Sequence, residues 1–268
     1  MNTYTARDFG NTVLRDFETR RTVLASAGDI TARSSALETK AMGHPAFDDL
    51  PVGDKRTASI ACVFLDLTDF TSRSFWDDPD EVADLAHAVL TGFIEVVGAF
   101  GGYPLGLRGD GLFAGFGPGR SDVDVVLALA ACAFALRAVQ EEVNPRLTTR
   151  NIEPVQARAG VDHGPIVFVR TGSRNSNDVN PLGFAANFAA KCEKTANSWE
   201  VVVGQSAATL LDAPELLTRH EKSPKSYQRN YRRREYHFYD YRWRAALPFL
   251  ETAAVQLAGR PSSTVKIS

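Results

Sequence analysis

Neither sign of charge dominates this sequence: 30 Lys and Arg stand against 32 Asp and Glu, for a net charge of −2. That balance argues against a basic surface for nucleic acid or an anionic membrane, and binding to neither is expected. Cysteine is scarce as well. Cys62, Cys132 and Cys192 are odd in number, widely spaced and without paired histidines. They exclude a disulfide framework and a zinc site, and predict buried free thiols in a reducing cytosol. The most apolar run, VDVVLALAACAFALRAV, is interrupted by Asp124 and Arg137 and reads as a core helix rather than a membrane span. The opening MNTYTARDFG carries acid and no apolar leader segment, so a cytoplasmic location is expected. Internal repeats and low-complexity tracts are absent too.

What is present is an ordinary globular composition, 44% apolar and 23% charged. Residues 1–55 read as a helical and linker lead-in, with a helix over ARDFGNTVLRDFETRRTVLASA and turn-rich chain after it. From TASIACVFLDL onward the pattern strengthens. A buried strand is followed by a helix that opens at Pro79 and stops at Gly101-Gly102. YPLGLRGDGLFAGFG reads as a hairpin. A second long helix follows with Ser121 or Asp122 as its cap. VQARAGVDHGPIVFVRTG reads as a second hairpin turning near His163-Gly164. After it come a helix over GFAANFAAKCEKTA, the strand EVVVG, a short helix, and REYHFYDYRW as one strand with a wet face. The order predicts an α+β fold with a ferredoxin-like βαββαβ core over 56–212, and a C-terminal extension over 213–268 that adds a last strand.

Asp66 closes the first strand, in FLDLTDFT. Asp110 sits between two glycines at the tip of the first hairpin, in RGDGLFAGF. The helix between them makes a crossover, so the next strand should run parallel to the first and end at the same sheet edge. Two carboxylates brought together there repel unless a cation or a proton separates them. Hard oxygen ligands of this kind suit Mg²⁺ or Mn²⁺, with substrate phosphates completing the shell. Thr68 to Thr71, including Phe70 and Thr71, can turn their N–H groups toward those phosphates. A nucleotide is the natural partner.

These segments resemble the class III nucleotidyl cyclases, the adenylate and guanylate cyclase family. FLDLTDFT and RGDGLFAGF look like its two metal motifs, ARAGVDHGPIVFV is similar to its Arg-x-Gly-x-x-x-Gly element, and NPLGFAANFAAKCE resembles the segment that closes its active site. The resemblance covers residues 58–204 and implies a head-to-tail homodimer with active sites at the interface. One subunit would give Asp66, Asp110 and the Leu67 carbonyl to two divalent cations. The other would give base recognition and the catalytic residues Asn187, which orients the ribose, and Lys191, which stands where the family usually has arginine. The implied reaction is attack of the ribose 3′-oxygen on the α-phosphate, with pyrophosphate leaving. A basic loop before the last strand approaches the triphosphate in the family, which brings in Arg232 from the run Arg229, Arg232, Arg233 and Arg234.

At the two positions where the family selects a purine, this sequence has Gly106 and Asn180. An amide both donates and accepts, so Asn180 can meet the O4 and N3–H of uracil or, flipped, the matching edge of cytosine. Gly106 removes a side chain long enough to reach a purine's far edge. The pattern resembles the pyrimidine cyclases of bacterial anti-phage signalling, the Pycsar type, whose cyclic nucleotide activates a separate effector. UTP is the favoured substrate, with CTP and the purine triphosphates as alternatives. A cyclase-like nucleotide-binding dimerisation module without catalysis is the rival of a different class.

Overall fold

The structure is a computed structural model and describes residues 4–25 and 42–249. The remainder of the N-terminal lead-in, over 26–41, and the tail beyond 249 lie outside the described residues. Ten strands and eight α-helical segments follow one another in the described chain. α1 is Ala6–Ala25, β1 Lys55–Thr68, α2 Phe70–Trp76, α3 Pro79–Ala99, β2 Tyr103–Arg108 and β3 Gly111–Phe116. α4 (Ser121–Ala138) runs through one π-helical turn into α5 (Asn144–Thr148). Then come β4 (Gln156–Ser173), β5 (Ser176–Leu182), α6 (Phe184–Thr195), β6 (Val201–Gly204) and α7 (Gln205–Leu210). β7 (Leu217–Arg219), β8 (Lys225–Arg229), β9 (Arg232–Tyr236), β10 (Phe238–Tyr241) and a helix, α8, over 243–249 end the described chain.

The main sheet has the order β2-β3-β1-β4-β6-β10-β7, with β5 also paired to β4. Its strands alternate between two buried faces, as period-two side chains must when both sides are covered. Ala61, Val63, Leu65 and Leu67 of β1 join one core with α1, α3 and α4. Ile60 and Cys62 point the other way, to Phe113, Ile166, Phe168 and Ala185, Ala186 and Ala189 of α6. α1 lies close on α3 because Gly92 has no side chain: a Cβ there would stand 2.7 Å from Phe9 and 2.8 Å from Val13. The segment before β1 packs down too, with Phe47 stacked on Phe168 at 3.9 Å. α3 is the one helix among the described residues long and apolar enough to cross a membrane, but half of that stretch is buried within the fold. All three cysteines are buried and free.

The α+β core appears as its sequence pattern predicts, with four local differences. β2 does run in the direction of β1, but β3 lies between them and pairs antiparallel with both. The chain over 156–173 is one continuous strand and not a hairpin: His163 faces Ala61 in mid-ladder, and the turn comes after Ser173. The expected reversal near His163-Gly164 is absent. Instead Gly160 is where α6 touches the sheet, since a Cβ would stand 2.1 Å from the Glu193 nitrogen and 2.2 Å from the Ala189 carbonyl. α4 begins one residue early, with Arg120 in the cap position and Asp124 accepting from the Gly119 N–H at 3.0 Å. Finally, REYHFYDYRW divides at His237: β9 pairs with β8 in a separate ribbon, and β10 joins the main sheet.

Candidate active site

Asp66 and Asp110 reach one edge of the sheet through register. Asp66 pairs with Gly111, the residue after Asp110, and the Leu67 N–H donates to the Asp110 carbonyl at 3.3 Å. Gly109, at φ +65°, makes the tight turn that presents Asp110. Gly111 leaves room for Asp66, because a Cβ there would lie 2.8 Å from Asp66 Oδ1 and 3.2 Å from the Leu65 carbonyl. Burial, and next the negative charge of Asp66, raise the Asp110 carboxyl above its ordinary range. Two mutually repelling carboxylates, one with an oxygen in a cradle only glycine leaves open, fit a divalent cation with hard oxygen ligands.

Two further residues belong to this edge, and the sequence reading did not select them. Arg158 faces Asp66 across the β1–β4 ladder. Its Nη2 donates to Asp66 Oδ2 at 2.9 Å and lies 2.6 Å from Glu193 Oε1, an ion pair in which that buried oxygen receives no hydrogen bond. Arg158 Nε is buried without a hydrogen bond. Burial, followed by the charge of Asp66, pushes Glu193 up to about 7. The signal that could have found Arg158 was the Arg-x-Gly spacing. Glu193 gave no signal short of the register of α6 on β4.

Beyond Asp66, Phe70 and Thr71 open α2 after Asp69, which has the left-handed φ of +57°. Phe70 is buried in the core, whereas Thr71 is exposed. Gly106 sits at a β-bulge in β2, with nothing within 4 Å of a Cβ built on it. No packing or backbone strain demands glycine there.

The other expected residues lie elsewhere on the chain. Asn187 and Lys191 are exposed on α6, separated around the helix from buried Glu193. Lys191 Nζ donates to the Tyr227 hydroxyl at 3.4 Å and sits 5.2 Å from the centre of its ring. A cavity of about 210 Å³ beside it is lined by Lys191, Lys194 and Lys225 over a floor of Phe188, Cys192 and Phe238. Asn180 lies in β5 opposite Val169, far along β4 from Arg158 and Asp66. At about 3.3 Å per residue the intervening stretch of β4 spans roughly 35 Å, more than one extended nucleotide. Arg232 opens β9 opposite Arg229 on the exposed ribbon. One chain therefore brings Asp66, Leu67 and Asp110 together and holds Asn180 well away from them.

A second group with metal-ligating side chains, Glu200, His220 and Asp240, gathers where β6 begins and β10 runs beside it. The Lys222 N–H donates to His220 Nδ1 at 3.0 Å, which fixes the imidazole proton on Nε2, facing Asp240 at 3.7 Å. No lone pair is left there for a metal.

Residues 52–232 match the family described as the adenylate and guanylate cyclase catalytic domain. A cytidylate cyclase of Escherichia coli is 28% identical over 185 residues, covering 66% of this chain and 41% of the relative. A cytidylate cyclase of Staphylococcus aureus is 22% identical over 193 residues, covering 69% and 45%. The chain thus spans less than half the length of these curated relatives. The crystal structure of the guanylyl cyclase Cya2 shares the fold at a TM-score of 0.59 and 22% identity, covering 71% of this chain and 94% of that one. With four sequence motifs in order and the paired aspartates at one sheet edge, the chain belongs to the adenylate and guanylate cyclase catalytic domain family, the class III nucleotidyl cyclases.

Proposed function

We propose that this chain is a pyrimidine nucleotidyl cyclase that works as a head-to-tail homodimer, converting UTP or CTP to the 3′,5′-cyclic monophosphate and pyrophosphate. The observation that carries the reading is the division of the site within one chain. Asp66 and Asp110 stand at one edge, and Asn180 stands roughly 35 Å along β4. A nucleotide touching both sets needs two copies, and a two-fold arrangement gives two such sites.

Asp66, Asp110 and the Leu67 carbonyl would hold two divalent cations, Mn²⁺ or Mg²⁺. When bound, these supply Lewis acidity at the ribose 3′-oxygen and neutralise charge on the departing pyrophosphate. The chain's own residues do the rest by position and charge, which suits in-line phosphoryl transfer without a protein nucleophile. Phe70 and Thr71 offer backbone N–H groups beside the phosphates. The second copy's Asn187 orients the ribose, and its Lys191 places a point charge against the transition state. Arg232 on the ribbon is assigned to the triphosphate.

Asn180 reads the base edge, and the open space at Gly106 leaves a purine without its second polar partner. The Asn180 amide serves uracil or cytosine. The names of the curated relatives bring CTP level with UTP. On the sequence's resemblance to the Pycsar-type pyrimidine cyclases, the product is assigned the role of a second messenger in antiviral signalling, acting through a separate effector.

The deciding experiment incubates the protein with Mn²⁺ and each of ATP, GTP, UTP and CTP, and resolves the cyclic products. A cyclic pyrimidine nucleotide is expected. Consumption of ATP alone would overturn the reading of Asn180 and Gly106. Tight nucleotide binding without turnover, unchanged by Lys191→Arg, would instead identify a non-catalytic module.

A further inference from the structure

The site geometry points to a residue that governs how a cation gains Asp66. We infer that Glu193 is a positioning residue: it takes over Arg158 when a divalent cation takes Asp66, and so keeps the guanidinium from competing with the metal. This inference rests on the reading of Asp66 as a metal ligand.

Arg158 Nη2 donates a hydrogen bond to Asp66 Oδ2 at 2.9 Å, while Glu193 Oε1 stands 2.6 Å from the same nitrogen as an ion pair and is buried without a hydrogen bond. The shorter contact is to Glu193, whose side chain is 6% exposed; that of Asp66 is 17% exposed. The hold on Arg158 is loose elsewhere: Nε is buried without a partner, and Nη1 reaches the Ala196 carbonyl only at 3.4 Å.

A divalent cation on Asp66 repels the guanidinium beside it. Arg158 then has one buried acceptor left, and that acceptor needs it, since a buried carboxylate stripped of its partner is strongly unfavourable. With Glu193 ionised the Arg158–Glu193 pair is neutral, so the cation meets no net positive neighbour. With Glu193 made neutral, a full positive charge remains within a few ångströms of the metal, where charges interact strongly. Gly160 maintains the arrangement by letting α6 approach β4 until Glu193 comes level with Arg158.

The test is a Mn²⁺ titration of the full chain without nucleotide, with free Mn²⁺ read by electron paramagnetic resonance. Asp66→Asn is the control. If it leaves Mn²⁺ binding unchanged, the metal reading of Asp66 falls, independently of Glu193. Given that control, Glu193→Gln is expected to weaken Mn²⁺ binding about tenfold. Adding Arg158→Met to it is expected to restore affinity to the wild-type level or tighter. Unchanged affinity in Glu193→Gln, or a loss that persists in the double variant, overturns the inference, because an effect not relieved by removing Arg158 is merely structural. Should Glu193→Gln not fold, Arg158→Met alone decides: severalfold tighter Mn²⁺ binding is expected, and unchanged binding refutes the inference.

Discussion

At Gly111 a single methyl group competes with a carboxylate for the same space. A Cβ there would meet Asp66 Oδ1 at 2.8 Å in an otherwise intact strand pair. Gly111→Ala is therefore expected to remain folded by circular dichroism and to lose at least tenfold in turnover, because a displaced ligand no longer meets the geometry the chemistry needs. Gly106 is the opposite case. A lysine there enters open space, so Gly106→Lys should shift stability by no more than about 0.5 kcal/mol. Combined with Asn180→Asp, it is expected to move the product distribution toward cyclic AMP, measured by product chromatography across the four nucleotides. Asp66 and Asp110 were legible in the sequence because each ends a strand whose direction the hydrophobic pattern already implied. Arg158 and Glu193 were not. Their meeting depends on which residue of β4 faces Asp66 and how closely α6 approaches, and neither is written in local spacing.

The contact between α6 and β4 is set by glycine. Gly160→Ala puts a methyl group into the backbone of α6, and unfolding by urea should show a loss of about 3 kcal/mol. The ribbon of β8 and β9 is tied down by a buried polar group at its end. The Tyr236 hydroxyl donates to Asp162 at 3.0 Å and lies 2.7 Å from Ser206 Oγ, while its ring packs on Phe184 and Phe188. Burial pushes the fully buried Asp162 up to about 6. A carboxyl raised in the folded state binds more protons there than when unfolded, so its contribution falls as pH climbs from about 4 to about 6 and levels off above. Thermal melts should show that decline, on the order of 2 to 3 kcal/mol, and Asp162→Asn should flatten it. The long helices were readable from their apolar spacing and stops. The uninterrupted β4 was not, because glycines that serve close packing look, in sequence, like glycines that serve a turn. The division at His237 was hidden for a related reason: two strands of different sheets share one alternating pattern.

In the molecule as a whole, one copy presents Asp66 and Asp110 while Asn187 and Lys191 face solvent on α6. Inactive variants of the two kinds should therefore rescue one another. Asp66→Ala and Lys191→Ala, each inactive alone, are expected to recover roughly a quarter of wild-type rate when mixed equally. Half the pairs formed at random are mixed, and each of those has one intact site of two. No recovery after full subunit exchange would refute a shared site. The reach of β4 gives the proposed shared site one more consequence. Below the concentration at which copies pair, the yield of cyclic nucleotide should fall as the square of protein concentration on dilution, and chains would accumulate in number before any signal is sent.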